Sequence, residues 1–391
     1  MEFAIDRPSL KRARIATTLI FLVQGLSMGA WAASIAAIQL TLGLADGALS
    51  IALFAYAMGG LAGMPLSAWL VSRLGSHLAM IAVAFSYCFV LTLPGLTTTF
   101  IPLVLAALTL GLGKGVLDVS MNSFAADIQE AWGQAIMSSF HAAASFGGFL
   151  GAIWLGLALG NGFSVAAGLL CLSVLSLGVV IFANGLSQAS LSLPLKTERA
   201  PAFVRPPRSL LALGALCLLV MMIEGGVADW SGVYLTTVVL ASPASAALAY
   251  ASFSIAMLVG RLFGDGFVRR FGERTTLFAG AISALTGFVC VLGTATFLPS
   301  IFGFALVGLG ASNIVPLLFS SASRLKDVSS GSAIAMTAAI GYTGFLMGPL
   351  IIGFLSDQFG LRIALIVLLG AAFLIGTLGP RQLRPRNSAA T

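Results

Sequence analysis

Stretches of mostly apolar residues, each long enough to matter to a membrane, recur along the whole chain and are separated by short polar turns. A helix needs ~20 consecutive apolar residues to cross the hydrocarbon core of a bilayer. The pattern predicts twelve such helices, over residues 15–40, 48–72, 78–97, 101–125, 135–159, 162–187, 209–238, 245–270, 275–295, 298–322, 331–357 and 360–379. Turn chemistry marks many of the separators, among them Gly43 to Gly47, Pro94-Gly95, Asn161-Gly162 and Ser242-Pro243. The first stretch follows Arg7, Lys11, Arg12 and Arg14, as the core of a secretory leader would. It is too long for that role and lacks a cleavage site, so a retained first span is expected.

One polar segment stands apart. Residues 188–208 carry Lys196, Arg199, Arg205 and Arg208 together with Pro194, Pro201, Pro206 and Pro207. Composition of this kind makes a linker, and it divides the chain six spans from six. The expected organisation is a six-helix bundle over residues 1–187, a linker over 188–208 and a second bundle over 209–391. The halves also repeat. Residues 63–75 align with residues 260–272, an offset of 197 positions, both beginning and ending on Gly. The same offset pairs Gly111 and Gly113 with Gly308 and Gly310, and Gly147, Gly151 and Gly156 with Gly344, Gly348 and Gly353. Register kept without insertion over this distance indicates an internal duplication.

Composition sharpens the picture. Hydrophobic residues make up 59% of the 391 residues and charged residues 8%, against ~25% charged in a soluble domain. The fold class expected is therefore all-α and polytopic, with two pseudo-symmetric bundles. The net charge of +7 could suggest nucleic acid, but the basic residues fall in the short loops. All of the 20 Lys and Arg except Lys114, Arg261 and Arg362 lie on one side of a twelve-span topology. By the positive-inside rule both termini are cytoplasmic, in a multi-pass protein of a bacterial inner membrane. Cys88, Cys171, Cys217 and Cys290 lie in apolar runs without CxxC spacing and are expected to be free thiols. With two His in the chain, one of them (His77) in a predicted loop, no metal site is expected.

The duplicated Gly-rich, Arg-rich loop resembles the signature of the major facilitator superfamily, whose halves are parallel six-helix repeats. The family's acid precedes the first basic residue, whereas here Ser72 and Arg269 hold those places, with Asp265 one turn earlier and Ala68 as its first-half counterpart. Within that family, the fourth span resembles the fucose permease branch: Gly111, Gly113 and Gly115 lead to Asp118 and then Asn122. The runs Ser139 to Gly148 and Glu224 to Ser231 are similar to related bacterial permeases. The resemblance implies proton-coupled movement of a small solute by alternating access. It also implies that Arg73, Arg261, Asp265 and Arg270 form a cytoplasmic gate, beside the plainer reading that these charges only set orientation.

Ionisable residues inside a span cost about 2.5–3.5 kcal/mol each at a helix centre and need a partner or a watery cavity. Lys114, Asp118 and Asn122, four residues apart in turn, share one face of the fourth span. Lys114 and Asp118 can pair, either to fix helix packing or to bind and release a proton. A movement that separated them would alter the proton affinity of Asp118. His141, at a similar expected depth of ~10 Å, could join them as a relay or serve as a packing residue. Gln24 with Glu224, and Trp31 with Trp230, occupy nearly related places in the two halves. These residues, with Asn122, Asp229 and Asn313, are the candidate solute contacts. Stacking on a ring and polar grip on hydroxyls would suit a sugar, Lys114 leaves room for an organic anion, and interfacial anchoring is the alternative for the two Trp.

The expected function is secondary active transport of a small polar solute, sugar-like or an organic anion, by proton symport. Export of drugs or metabolites is the alternative. Against it, the fifth span has Gly147-Gly148 without the Gly-Pro of many family exporters, and Gly348-Pro349 lies in the eleventh. A membrane enzyme or sensor would need a catalytic motif or an extramembrane domain, and the sequence supplies neither. The expected partners are the solute and the lipid bilayer, with a monomer as the working unit. No cofactor and no nucleic-acid partner is expected, and the proton is the expected coupling ion.

Overall fold

The computed structural model describes residues 7–134, 136–187, 207–325 and 328–383. The predicted linker falls almost wholly on residues outside this set, as do Lys196, Arg199, Arg205, Lys326, Arg384 and Arg386. The described residues form an all-helical chain: α1 (Arg7–Leu42), α2 (Asp46–Leu74), α3 (Ser76–Val90), α4 (Phe100–Trp132), α5 (Met137–Gly160), α6 (Val165–Ser187), α7 (Arg208–Thr237), α8 (Pro243–Phe271), α9 (Glu273–Thr294), α10 (Phe297–Ala311), α11 (Ile314–Ser323), α12 (Ser330–Phe359), α13 (Leu361–Ala364) and α14 (Ile366–Gln382). A single turn of 3₁₀ helix extends α3 to Leu96, α10 runs on into α11, and α13 into α14, giving twelve candidate membrane spans. Large apolar side chains such as Phe89, Leu157, Phe182, Phe263 and Phe354 point outward, as a surface solvated by lipid requires.

Most predicted boundaries lie within three residues of the observed ones, and two differ more. α1 begins at Arg7, because its basic first turns continue the helix. α4 continues to Trp132, because Ala125 and Ile128 keep an apolar stripe buried past the predicted end. The helix stops where Gly133 adopts φ 72°, a left-handed conformation open to a residue without Cβ. His77 also differs from expectation: it lies in the first turn of α3, 2.7 Å from the Ser187 hydroxyl.

The duplication is visible in the backbone. Gly75 joins α2 to α3 at φ 82°, ψ 158°, and Gly272 joins α8 to α9 at φ 82°, ψ 164°. In the first half α1 packs on α5 and α2 on α4; in the second, α7 packs on α12 and α8 on α10. A Cβ on Gly111 would run into the Tyr56 backbone, and one on Gly308 into that of Phe253, contacts related by the same 197-residue offset. Small residues thus let helix backbones touch, which supplies packing where lipid offers no hydrophobic gain. The tenth span breaks at Ser312-Asn313 because Pro316, four residues past Ser312, has no N–H and crowds the Ser312 carbonyl.

The halves meet along two seams, α2 against α12 and α5 against α8. One face of the molecule carries the start of α1, the end of α14 and most of the Arg residues, and is here termed the basic face. At the opposite, far face both seams are shut. Gly47 N–H donates to Asp357 Oδ1 at 2.9 Å, Ser356 donates to Asp46, and Gly353 abuts Ser50. Gly156 of α5 lies against Ala244 and Ala247 of α8. Arg362, the exception to the charge asymmetry, donates from Nε to Leu292 O at 2.8 Å and from a terminal nitrogen to Gly293 O at 3.1 Å. It thereby caps the last carbonyls of α9 at the far face.

Candidate functional site

Between the halves lies a cavity of about 1660 Å³. It is lined at one end by residues of the basic face, among them Ser72, His77, Asp127 and Ser138, and it closes toward the far face at the sealed seams. Lys114, Asp118 and Asn122 line it from α4, Glu224 and Asp229 from α7, and Gln24 from α1. Charge inside the membrane is therefore turned toward a gap that water can enter, which makes it tolerable.

Lys114 Nζ donates to Asp118 Oδ2 at 2.5 Å, with the two side chains 22% and 15% exposed. Asn122 donates from its amide to the Asp118 carbonyl at 2.8 Å, which holds the third member of the stripe on the same face. Tyr56 of α2, Tyr87 of α3 and Tyr342 of α12 lie within electrostatic reach of Asp118. Tyr342 is also within reach of Lys114 and Glu224, so one phenol from the second half faces charged groups of both halves.

His141 lines the cavity, but it does not join the pair. α4 runs fourteen residues beyond Asp118, whereas His141 lies four residues into α5. The shared depth expected from the shorter fourth span is thus lost. The His141 ring packs edge-on to Phe21 at 5.4 Å, and its carbonyl accepts a 3.4 Å bond from Arg261.

Arg261, expected beside Asp265 in the gate, makes its hydrogen bonds with α5. Its guanidinium turns away from Asp265 on its own helix and crosses the seam, donating to Ser145 Oγ of α5 at 2.6 Å. Glu224 lies within its electrostatic reach. The nearest positive charge acting on Glu224 therefore comes from α8 and not from α7 itself. Of the other gate residues, Arg73 and Arg270 are exposed, Asp265 borders the cavity, and Arg270 lies over the Phe271 ring at 5.3 Å. Among the described residues none of the three forms an ion pair across the halves. At the basic face the helix ends are instead tied within each half, by Ser76 to Asp127 at 2.6 Å and Arg324 to Glu273 at 2.5 Å.

Three solute candidates sit differently from expectation. Trp31 and Trp230 do not line the cavity: both are buried in the far halves of α1 and α7, where the helix rotation that turns Gln24 and Asp229 to the cavity turns the indoles into protein. Interfacial anchoring fails for the same reason. Trp31 packs against Tyr56 with ring centroids 5.4 Å apart. Asn313 borders the cavity, but its amide donates to Gly260 O at 2.8 Å and Ser312 Oγ at 2.9 Å. It ties the broken tenth span to α8. Conversely Tyr56, Tyr250, Tyr342, Ser145 and Ser254 line the cavity and were missed, since a lone Tyr or Ser in an apolar run carries no positional signal.

The sequence model of the Major Facilitator Superfamily matches residues 17–325 and 233–389. The chain is 33% identical to an uncharacterized MFS-type transporter of Yersinia pestis, over 90% of this chain and 91% of that one. It is 29% identical to the membrane protein MosC of Rhizobium meliloti, over 94% and 89%. Among solved structures it superposes on the nucleoside transporter NupG with a TM-score of 0.70 at 12% identity, covering 96% of this chain and 100% of that one. A bacterial homolog of the human lysosomal transporter Spinster, in an inward-facing and occupied conformation, gives 0.73 at 13% identity, covering 98% and 100%.

Proposed function

Because this chain belongs to the major facilitator superfamily and is a multi-pass membrane transporter, we propose that it takes up a small polar, sugar-like solute by alternating access, driven by protons. The observation that carries this reading is the Lys114–Asp118 pair. It is held at 2.5 Å at membrane depth, on the wall of a cavity open at one face and shut at the other. A carboxylate so placed can take a proton from one side and give it up to the other. Of the tyrosines around it, Tyr342 comes from the opposite half, so its hydroxyl reports the position of that half.

The positive-inside rule supports a bacterial inner-membrane protein with the basic face, and both termini, in the cytoplasm. In that orientation the cavity opens inward. A polar solute without a negative charge suits it better than an organic anion. Lys114 is held by Asp118 and Arg261 by Ser145 and the His141 carbonyl, which leaves neither of these cations free for a carboxylate. Gln24, Asn122 and the tyrosines provide donors and acceptors from both halves, so a bound solute bridges them and favours closure around itself. Uptake rather than export is supported by α5, which passes Gly147 and Gly148 without a proline.

The test is transport in proteoliposomes under an imposed pH gradient, for a solute that stabilises the purified protein. The wild type accumulates it. Asp118→Asn abolishes accumulation while sparing exchange of solute without a gradient. Undiminished accumulation by Asp118→Asn removes the assigned role.

A further inference from the structure

The charges at membrane depth in the cavity do not balance. Lys114 pairs with Asp118, and Arg261 lies within electrostatic reach of Glu224, whereas among the described residues no cation lies within such reach of Asp229. Asp229 is left over. It lies eight residues before the end of α7, ~12 Å from the far end of that helix. Its side chain borders the cavity, the residue is 7% exposed, and among the described residues it makes no hydrogen bond and no ion pair. A buried carboxylate without a partner is costly unless something in its site neutralises it.

Two of the groups near Asp229 are aromatic. Tyr56 of α2 and Tyr250 of α8, one from each half, lie within its electrostatic reach, and both rings border the cavity. Behind them stand Trp31 against Tyr56, at 5.4 Å, and Phe253 against Tyr250, at 5.9 Å. Aromatic faces are negative and attract a cation, more strongly where water is excluded. The geometry points to an organic-cation subsite: Asp229 is the counter-ion of a protonated amine carried by the transported solute, and Tyr56 and Tyr250 form the walls around it. A hydroxyl could hydrogen-bond Asp229 but could not neutralise it, so the inference narrows the solute from a polar molecule to a polar amine. It rests on the transport reading above.

Three probes with one ring frame separate the possibilities: glucosamine, glucose and glucuronate, extended with the open-chain amines ethanolamine and 1,4-diaminobutane. Thermal shift of the purified full chain in detergent reads binding. At least one amine stabilises the wild type, whereas glucose and glucuronate do not. Asp229→Asn weakens that binding about tenfold or more while eluting as a monodisperse species. Asp229→Glu, which keeps the charge, retains the preference for amines, and Tyr250→Phe retains it where Tyr250→Leu does not. Stabilisation by glucose or glucuronate alone, or a panel in which no amine binds, overturns the inference and leaves the transport reading standing. An amine that binds but is not accumulated under a pH gradient overturns the transport reading instead.

Discussion

Asp357, two residues before the end of α12, accepts the backbone N–H of Gly47 in the first turn of α2 at 2.9 Å. A carboxylate of one half thus caps a helix of the other, where the helix dipole favours negative charge. Asp46, next to Gly47, is held in turn by Ser356 and by Gln39, whose amide donates at 2.6 Å. These contacts shut the far face.

They are the first candidates to break when that face opens. Asp357→Ala should cost the closed form about 1 kcal/mol, a roughly fivefold shift toward the far-open form. Spin-label distances between the far ends of α2 and α12 would lengthen in a larger fraction of molecules. An unchanged distance distribution would show that the apolar seam alone holds the face.

Arg261 and Glu224 make a second prediction. Arg261→Ala removes the cation within electrostatic reach of the Glu224 carboxylate as well as the tie to Ser145, so the melting temperature should fall. Adding Glu224→Gln to Arg261→Ala should recover most of it, because the stranded charge is gone. Arg261→Lys should keep the stability but lose the tie to Ser145. If the double variant is no more stable than Arg261→Ala, the two residues do not compensate each other.

Glycines offer a contrast within one protein. A Cβ on Gly151 would strike the backbone of Leu26 and Ala30 in α1, whereas one on Gly178 of α6 meets nothing within 4 Å. Gly151→Leu should abolish recovery of folded protein. Gly178→Ala should be neutral or stabilising by up to ~1 kcal/mol, the difference in helix propensity. Size-exclusion profiles and melting curves check both.

The helices were legible because lipid demands long apolar runs, and the halves because duplicated glycines mark the same backbone contacts twice. Asp118, Glu224 and Asp229 stood out because charge in an apolar run is conspicuous. The bond of Arg261 to Ser145 was not legible because its partner was sought one turn away on its own helix, while Ser145 lies 116 residues distant. Tyr56, Tyr250 and Tyr342 were invisible for a related reason. Which face of a span meets the cavity depends on how twelve helices are rotated against one another. Trp31 and Trp230 show the same limit from the other side, with conspicuous residues turned into protein by that rotation.

Lys114 and Asp118 stand one turn apart on α4, which runs unbroken from Phe100 to Trp132. Any rocking of one bundle against the other carries both residues together, so their 2.5 Å contact is not what the cycle stretches. The part that moves relative to them is the opposite wall, with Tyr342 on it, and the water that wall admits or expels. On the proposed reading, a proton gate built this way works like a lock whose bolt stays in the door while the frame shifts around it.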